Sequence, residues 1–439
     1  MNTLRGISLK LVKVGICGLG TVGSGTFNVL TRNAQEISRR VGCDIVVEQI
    51  GARRDNANCI TTGTNITRDI FEVATNPDID IVVELIGGYD VALKLVLTAI
   101  ENGKHVVTAN KALIAEHGNE IFAAAKKHNV IVAFESAVAG GIPIIKALRE
   151  GLAANKISSI AGIINGTGNF ILSEMQDKGR DFADVLQEAQ ALGYAEADPT
   201  FDVEGIDAAH KLTILASIAY GVPLQFSKAY TEGISQITAE DVRFADELGY
   251  RIKHLGITRR VEQGIELRVH PTMIPKQTLL ASVNGVMNAV LVDADAVGQT
   301  LHYGAGAGDE ATGSAVIADI IDIARSMTSG QTSAIAPLGF QSDELSDAPI
   351  LPMDQTETGY YLHLKAAEKP GVLAEVTKIL GDCGINIEAI VQKESDADYV
   401  PVILLTQRVI EQKMNTAIKA IEALDSTLGS VTRIRVELL

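Results

Sequence analysis

The sequence predicts an α/β protein: a doubly wound parallel sheet first, then an α+β middle part, then a βαββαβ end of ferredoxin-like order. Three observations carry this reading. Short apolar runs alternate with helical stretches over residues 11–134, a Gly-x-Gly-x-x-Gly turn separates the first run from the first helix, and a different strand-helix order begins after residue 357. At 439 residues the chain is too long for one core. The expected division is 1–143, 144–335, a linker at 336–356, and 357–439.

Residues 11–17 read as a strand, and Gly18-Leu19-Gly20-Thr21-Val22-Gly23 leads from it into a helix over 22–39. A dinucleotide-binding loop needs that context: Gly18 for the tight turn, Gly20 for close approach of a pyrophosphate, Gly23 for helix-strand packing. The diphosphate would rest on the helix N-terminus, where unpaired N–H groups and the helix dipole favour an anion. A second strand over 44–52 ends in Gly51-Ala52-Arg53-Arg54, where an NAD site usually places Asp or Glu. Ala52 and Arg53 are therefore cofactor candidates, and the arginines favour NADP over NAD, with Glu48 inside the strand as the contrary sign. Strands at 80–85, 105–107 and 130–134 alternate with helices at 91–102 and 116–128. The loops Ile86-Gly87-Gly88 and Thr108-Ala109-Asn110-Lys111 follow strand ends, where open α/β sheets bind ligands, so Lys111 is a candidate held in a loop.

The middle part reads as strands at 157–164, 265–273 and 284–293 and helices at 182–192, 205–220, 241–255 and 311–326. Its charge concentrates between Glu196 and Lys211, an acidic loop entering a helix with one lysine among apolar residues. Asp202 is the expected N-cap, and Asp207 and Lys211, four apart, share one helix face. A solvated helix start with a surface ion pair is the alternative. Small polar residues over 329–347 read as linker. Beyond it come strand 360–366, a helix from Gly371 to about residue 383, strands 385–391 and 400–406, helix 415–423 and strand 432–437.

Composition narrows the function classes. Hydrophobic residues make up 46% and charged ones 21%, with no apolar run near the roughly 18 residues of a membrane span. A net charge of −16 argues against nucleic acid as partner. The first ten residues show no apolar signal segment, which points to the cytoplasm. Cys17, Cys43, Cys59 and Cys383 have no metal-site spacing and are expected as reduced, mostly buried thiols.

Six segments in order resemble homoserine dehydrogenase over the whole chain: the Gly18 to Gly23 loop, Ala109-Asn110-Lys111, Glu135-Ser-Ala-Val-Ala-Gly-Gly-Ile-Pro143, Asn165-Gly-Thr-Gly-Asn169, Gly193-Tyr-Ala-Glu-Ala-Asp-Pro199 and Asp207-Ala-Ala-His-Lys211. Lys369-Pro-Gly-Val-Leu-Ala-Glu with Gly384-Ile-Asn-Ile resembles an ACT domain, the amino-acid-sensing extension of the longer bacterial form. The resemblance implies NAD(P)-linked interconversion of L-homoserine and L-aspartate 4-semialdehyde, in threonine, methionine and isoleucine biosynthesis. It implies Lys211 as the proton-transfer residue, Lys111 as its neighbour near the nicotinamide, and Glu196 and Asp207 on the substrate with Asp202 close by. A free lysine titrates near about 10.4 and acts as a base only where that value falls, which a second ammonium nearby achieves.

The same resemblance implies that Leu19, Thr21 and Val22 line the cofactor loop and that Gly193 and Gly308 close over the cofactor. It places a monovalent cation, usually sodium, on carbonyl oxygens at Glu135, Val138, Gly140 and Ile142, an amino-acid effector, threonine, near Gly371 and Asn386, and a homodimer or homotetramer as the assembly. Carbonyl ligands leave almost no trace in a sequence, and a plain turn is the alternative at 135–143. The run ending at Gly308 reads equally as a phosphate cradle or a hinge, and Lys211 paired to Asp207 in a purely structural role stays open. Two rival functions are weaker. Aspartate-semialdehyde dehydrogenase needs a cysteine thiolate, and no cysteine lies between Cys59 and Cys383. A non-catalytic nucleotide- and amino-acid-sensing regulator leaves the acidic loop and Lys211 unexplained.

Overall fold

A computed structural model describes residues 11–330, 335–392 and 399–439. The first ten residues, on which the cytoplasmic expectation rests, lie outside this set, as do residues 331–334 of the expected linker. The chain divides into two compact units, Met1–Ile160 with His210–Ser227 and Asn288–Ala348, and Ala161–Ala209 with Lys228–Met287 and Pro349–Leu439.

The first unit holds a parallel sheet of β1 (Leu11–Cys17), β2 (Asp44–Gly51), β3 (Asn65–Thr67), β4 (Ile81–Glu84), β5 (His105–Thr108) and β6 (Val132–Ala133), in the order β3-β2-β1-β4-β5-β6. Its helices are α1 (Thr21–Arg32), α2 (Ala34–Val41), α3 (Ile70–Thr75), α4 (Asp90–Glu101) and α5 (Lys111–His128). Both faces of such a sheet are covered, so Val12, Val14, Ile16, Ile81, Val82 and Val83 are all buried and the strands read as nearly continuous apolar runs. The order reverses between β1 and β4, which puts the glycine loop at the switch point where doubly wound sheets bind ligands. Register aligns Cys17 with Glu84 and Glu84 with Thr108, so three strand ends share one sheet edge. This unit also contains α6 (Ile144–Lys146), the start of β7 (Ile157–Ile163), most of α10 (Ile206–Tyr220), nearly all of β11 (Met287–Ala294), β12 (Gly298–Ala305) and α12 (Asp309–Ser329). Phe27 and Leu30 of α1 share a core with Val316, Ile320 and Ile323 of α12.

In the second unit α7 (Gly166–Lys178), α8 (Phe182–Ala191), α9 (Thr200–Val203) and α11 (Ala239–Glu247) accompany β8 (Tyr230–Thr231), β9 (Tyr250–Val261) and β10 (Gly264–Pro275). After them come β13 (Glu357–Ala367), α13 (Val372–Asp382), β14 (Ile387–Gln392), β15 (Tyr399–Ile410), α14 (Glu411–Glu422) and β16 (Thr432–Val436). The order β16-β13-β15-β14, all antiparallel, is the expected ferredoxin-like arrangement. It is not a closed module. β16 also pairs in parallel with β10, Thr272 against Arg435, so the C-terminal sheet continues the sheet of the preceding part. One face packs Tyr360, Leu362 and Leu364 against Val376, Leu380 and Met414, and the other packs Tyr361, Ile403 and Ile434 against Met175, Val185 and Phe244.

Several local expectations change. The helix at 22–39 is two helices, because Asn33 leaves the helical region at ψ 13 between α1 and α2. The helix at 116–128 begins five residues earlier, so Lys111 is its first residue rather than a loop residue; Asn110 caps it by accepting the Leu113 N–H at 3.1 Å. The helix at 241–255 ends as α11 at Glu247, Gly249 turns the chain at φ 84, and Tyr250 already belongs to β9. α12 starts at Asp309, and β3, α3, α7 and β12 stand where no element was expected. Among the described residues no helix is long and apolar enough to cross a membrane.

Candidate active site

Gly18 takes φ 104, and a Cβ there would lie 2.5 Å from the Leu85 carbonyl oxygen. One at Gly23 would lie 2.1 Å from the Gly18 carbonyl oxygen, whereas the corresponding direction at Gly20 is open. Packing thus demands glycine at 18 and 23, while the open direction at Gly20 leaves room on that side of the loop. The N-terminus of α1 has neither a side-chain cap nor an acidic residue in its first turn, so its N–H groups and dipole suit a diphosphate. At the end of β2, Ala52 is buried and Arg53 and Arg54 are exposed. Sequence reading missed Arg68, which donates to the Ala52 carbonyl at 2.9 Å and pairs with Asp55 at 2.8 Å. Glu48, the sign against NADP, is bound by Lys13 at 3.2 Å in mid-strand.

Sequence reading also missed Glu84, fully buried at the end of β4. Its carboxylate accepts the N–H groups of Ile86 and Gly87 at 2.9 and 3.1 Å and the Thr108 hydroxyl at 2.6 Å. Asn110 donates to the Gly88 carbonyl at 2.7 Å. Two strand-end loops are thereby tied together, and Lys111 follows directly at the start of α5. Burial raises the Glu84 carboxyl above its ordinary range, against the opposing pull of its hydrogen bonds. Cys17, Cys43 and Cys59 are buried and Cys383 is half-buried, all as free thiols. Burial pushes the Cys17 thiol well up, so the cysteine nearest the glycine loop holds no thiolate nucleophile.

At the expected cation loop, Glu135, Val138, Gly140 and Ile142 are buried. Ala139 has φ 54, a conformation uncommon for a residue with a side chain, and Gly140 follows at φ 47 with the Gly306 carbonyl oxygen 2.4 Å from where its Cβ would be. The Glu135 side chain accepts the N–H groups of Ile145 and Lys146 at 2.9 and 2.8 Å, while its own N–H donates to Asp319 at 2.8 Å. Burial first, then the neighbouring Asp319 charge, pushes Glu135 up to about 7, and burial pushes Asp319 up to about 6. Among the described residues no group of three or more His, Cys, Asp or Glu is arranged for a metal, so a cation here would depend on carbonyls. Gly308 takes φ 134 immediately before α12.

α10 is buried along most of its length, and its many apolar residues enclose the buried Asp207, His210 and Lys211. Lys211 is 9% exposed and Asp207 4%. The neighbouring His210 ring stacks on Phe226 with centroids 4.0 Å apart. Asp202 is not the N-cap of α10. It belongs to α9, and the chain enters α10 through Gly205 at φ 83, a left-handed turn that separates the two helices. In the second unit the side-chain amide of Asn165 donates to Asp202 at 2.8 Å and to Asp207 at 2.9 Å, which brings these two carboxylates together. Glu196 stays on the exposed loop after α8, near Gly193 at φ 76, and its backbone carbonyl accepts from Gln190 at 3.1 Å. Of the two effector candidates, Gly371 borders a cavity of about 400 Å³ lined by Glu368, Lys369, Gln392 and Val402. Asn386 lies beyond the opposite end of α13 and donates to Gln407 at 3.3 Å.

Three family models match the chain: the NAD binding domain of homoserine dehydrogenase over residues 18–135, homoserine dehydrogenase over 143–321, and the ACT domain over 360–423. A homoserine dehydrogenase from Pseudomonas aeruginosa is 68% identical over 433 residues, covering 98% of this chain and 100% of that one. The crystal structure of a homoserine dehydrogenase from Thiobacillus denitrificans superposes with a TM-score of 0.94 at 61% identity, over 98% of this chain and 99% of that one. A hyperthermophilic archaeal homoserine dehydrogenase in complex with NADPH gives a TM-score of 0.61 at 28% identity, covering 72% of this chain and 98% of that one.

Proposed function

The chain belongs to the homoserine dehydrogenase family and is an oxidoreductase interconverting L-homoserine and L-aspartate 4-semialdehyde; from that premise we infer how its residues divide the reaction. NADP is the favoured cofactor. Exposed Arg53 and Arg54 at the end of β2, with Arg68 beside them, suit a 2′-phosphate, and the archaeal relative solved with NADPH agrees. Gly18, Leu19, Gly20, Thr21, Val22 and Gly23 hold the diphosphate, and Gly308 of the same unit closes over it.

The bound nicotinamide supplies the hydride when the aldehyde is reduced. Lys211 gives a proton to the aldehyde oxygen and, in the reverse direction, takes it from the alcohol. Lys111, at the positive end of α5, lowers the proton affinity of a neighbouring ammonium. Asp207 and Glu196 hold the amino-acid ammonium or hydroxyl, with Asp202 beside Asp207. The left-handed Ala139 and Gly140 support a sodium ion held by carbonyls of Glu135, Val138, Gly140 and Ile142. An amino-acid effector, threonine, at the cavity beside Gly371 and a homodimeric or homotetrameric assembly complete the reading.

Lys211, buried on the helix that also carries Asp207, is the observation that carries the division of roles. The experiment is NADPH oxidation with aspartate semialdehyde, comparing wild type with Lys211→Ala. Turnover should fall by roughly 100-fold or more while the variant stays folded. Equal turnover in the variant removes Lys211 from proton transfer, and a folded wild type that binds NADPH without turnover restores the sensing-regulator reading.

A further inference from the structure

Asn165 follows β7 and caps α7, and it is 6% exposed. Its Oδ1 accepts the Gly168 N–H at 2.7 Å, as an N-cap does. That bond settles which way the amide faces: with the oxygen on an N–H donor, the NH2 group points the other way. There it meets two carboxylate oxygens, Asp202 Oδ1 at 2.8 Å and Asp207 Oδ2 at 2.9 Å, one for each of its protons. Reversing the amide would set an oxygen against two anions and a donor against a donor.

The carboxylates need such a bridge for a reason visible in the backbone. Asp202 belongs to α9 and Asp207 to α10, and the left-handed Gly205 between them breaks the helical register. No single helix therefore sets their separation. Two like charges held close also repel, and a cation placed between them would consume the negative charge that attracts an ammonium. A neutral amide fixes both oxygens without adding a positive charge of its own.

We propose that Asn165 is a positioning residue for the reaction, a neutral clamp that holds Asp202 and Asp207 side by side as an anionic pair for the ammonium of the amino-acid substrate. The proposal rests on the reading that Asp207 binds substrate. Asn165→Ser separates the clamp from the cap, because serine retains a capping oxygen but has no NH2 group to reach the carboxylates. The KM for L-homoserine should rise roughly ten-fold or more, the loss of charge-assisted hydrogen bonds, with kcat and the KM for NADP close to wild type and a lower melting temperature from the two lost amide bonds.

Asp207→Asn, measured in parallel, distinguishes the two ideas. If Asp207→Asn raises the KM for homoserine and Asn165→Ser does not, the clamp is wrong and the substrate reading stands. If neither variant moves it, the role of Asp207 fails and the clamp fails with it. Should the serine variant unfold, Asn165→Asp keeps both the shape and the capping oxygen; a wild-type KM for homoserine in that folded variant overturns the proposal, and a raised one with unchanged NADP kinetics supports it.

Discussion

Arg53 stands exposed at the carboxyl end of β2, where an acidic residue would mark a site for unphosphorylated ribose. Arg53→Asp should raise the KM for NADPH by roughly ten-fold or more and leave NADH kinetics nearly unchanged, a ratio that steady-state assays with both cofactors read directly. Glu135 and Asp319 set a pH dependence. Both carboxyls are raised in the folded protein, so it retains protons that the unfolded chain releases. Their contribution is complete below the ordinary carboxylate range and is lost as pH climbs through about 6 and about 7. Relative to Asp319→Asn, which keeps an oxygen for the Glu135 N–H, wild type should lose on the order of 2 kcal/mol between roughly pH 5 and 7.5 in urea unfolding. A parallel pH profile for the two proteins would remove the raised carboxyls as its cause. Lys211 and Asp207 were legible because charge inside an apolar helix is conspicuous. Glu84 and Asn165 were not, because an acid ending an apolar strand and an asparagine before glycine both look like ordinary turn residues until their partners from distant segments are known.

At the scale of elements, α1 and α12 meet backbone to backbone. A Cβ at Gly25 would lie 2.2 Å from the Asp309 carbonyl oxygen, and one at Gly313 would lie 2.8 Å from the Thr26 nitrogen. Gly25→Ala should therefore cost on the order of 2 kcal/mol, read as a lower melting temperature, since neither helix can yield without leaving the shared core. An unchanged melting temperature would show that the helices slide freely. The parallel sheet was legible from its sequence because strands buried on both faces are apolar throughout. The stretch 241–255 was not, since its apolar spacing fits a helix or a strand equally and the decision falls to Gly249.

At the scale of the molecule, the C-terminal module and the part before it share a buried ionic seam inside one unit. Arg435, fully buried, donates to Glu411 at 2.9 and 2.6 Å and to Glu232 at 2.8 Å. Arg268 pairs with Glu437 at 2.5 Å and with Glu266 at 2.9 Å. Breaking such a pair from one side strands a buried charge, so Arg435→Met should destabilise the protein by about 3 to 5 kcal/mol in urea unfolding, and a loss under about 1 kcal/mol would mean that water reaches the seam. The same seam limits how the proposed threonine regulation can be tested. Removing everything after residue 350 would expose the β10 edge and leave Glu232 without Arg435. Threonine sensitivity is better tested by changing Lys369 or Gln392 beside the Gly371 cavity.

The amino-acid sequence by itself determined the glycine loop, the two βα patterns and the order of the motifs, because each depends on neighbours within a few residues and on periodicity along the chain. Only the tertiary structure decided that β16 joins β10, that Asp202 and Asp207 are held by one amide, and that Lys111 begins a helix stitched to the neighbouring loop through Asn110. Those features are contacts between segments far apart in the chain, whose formation depends on burial and hydrogen bonding that no local pattern encodes.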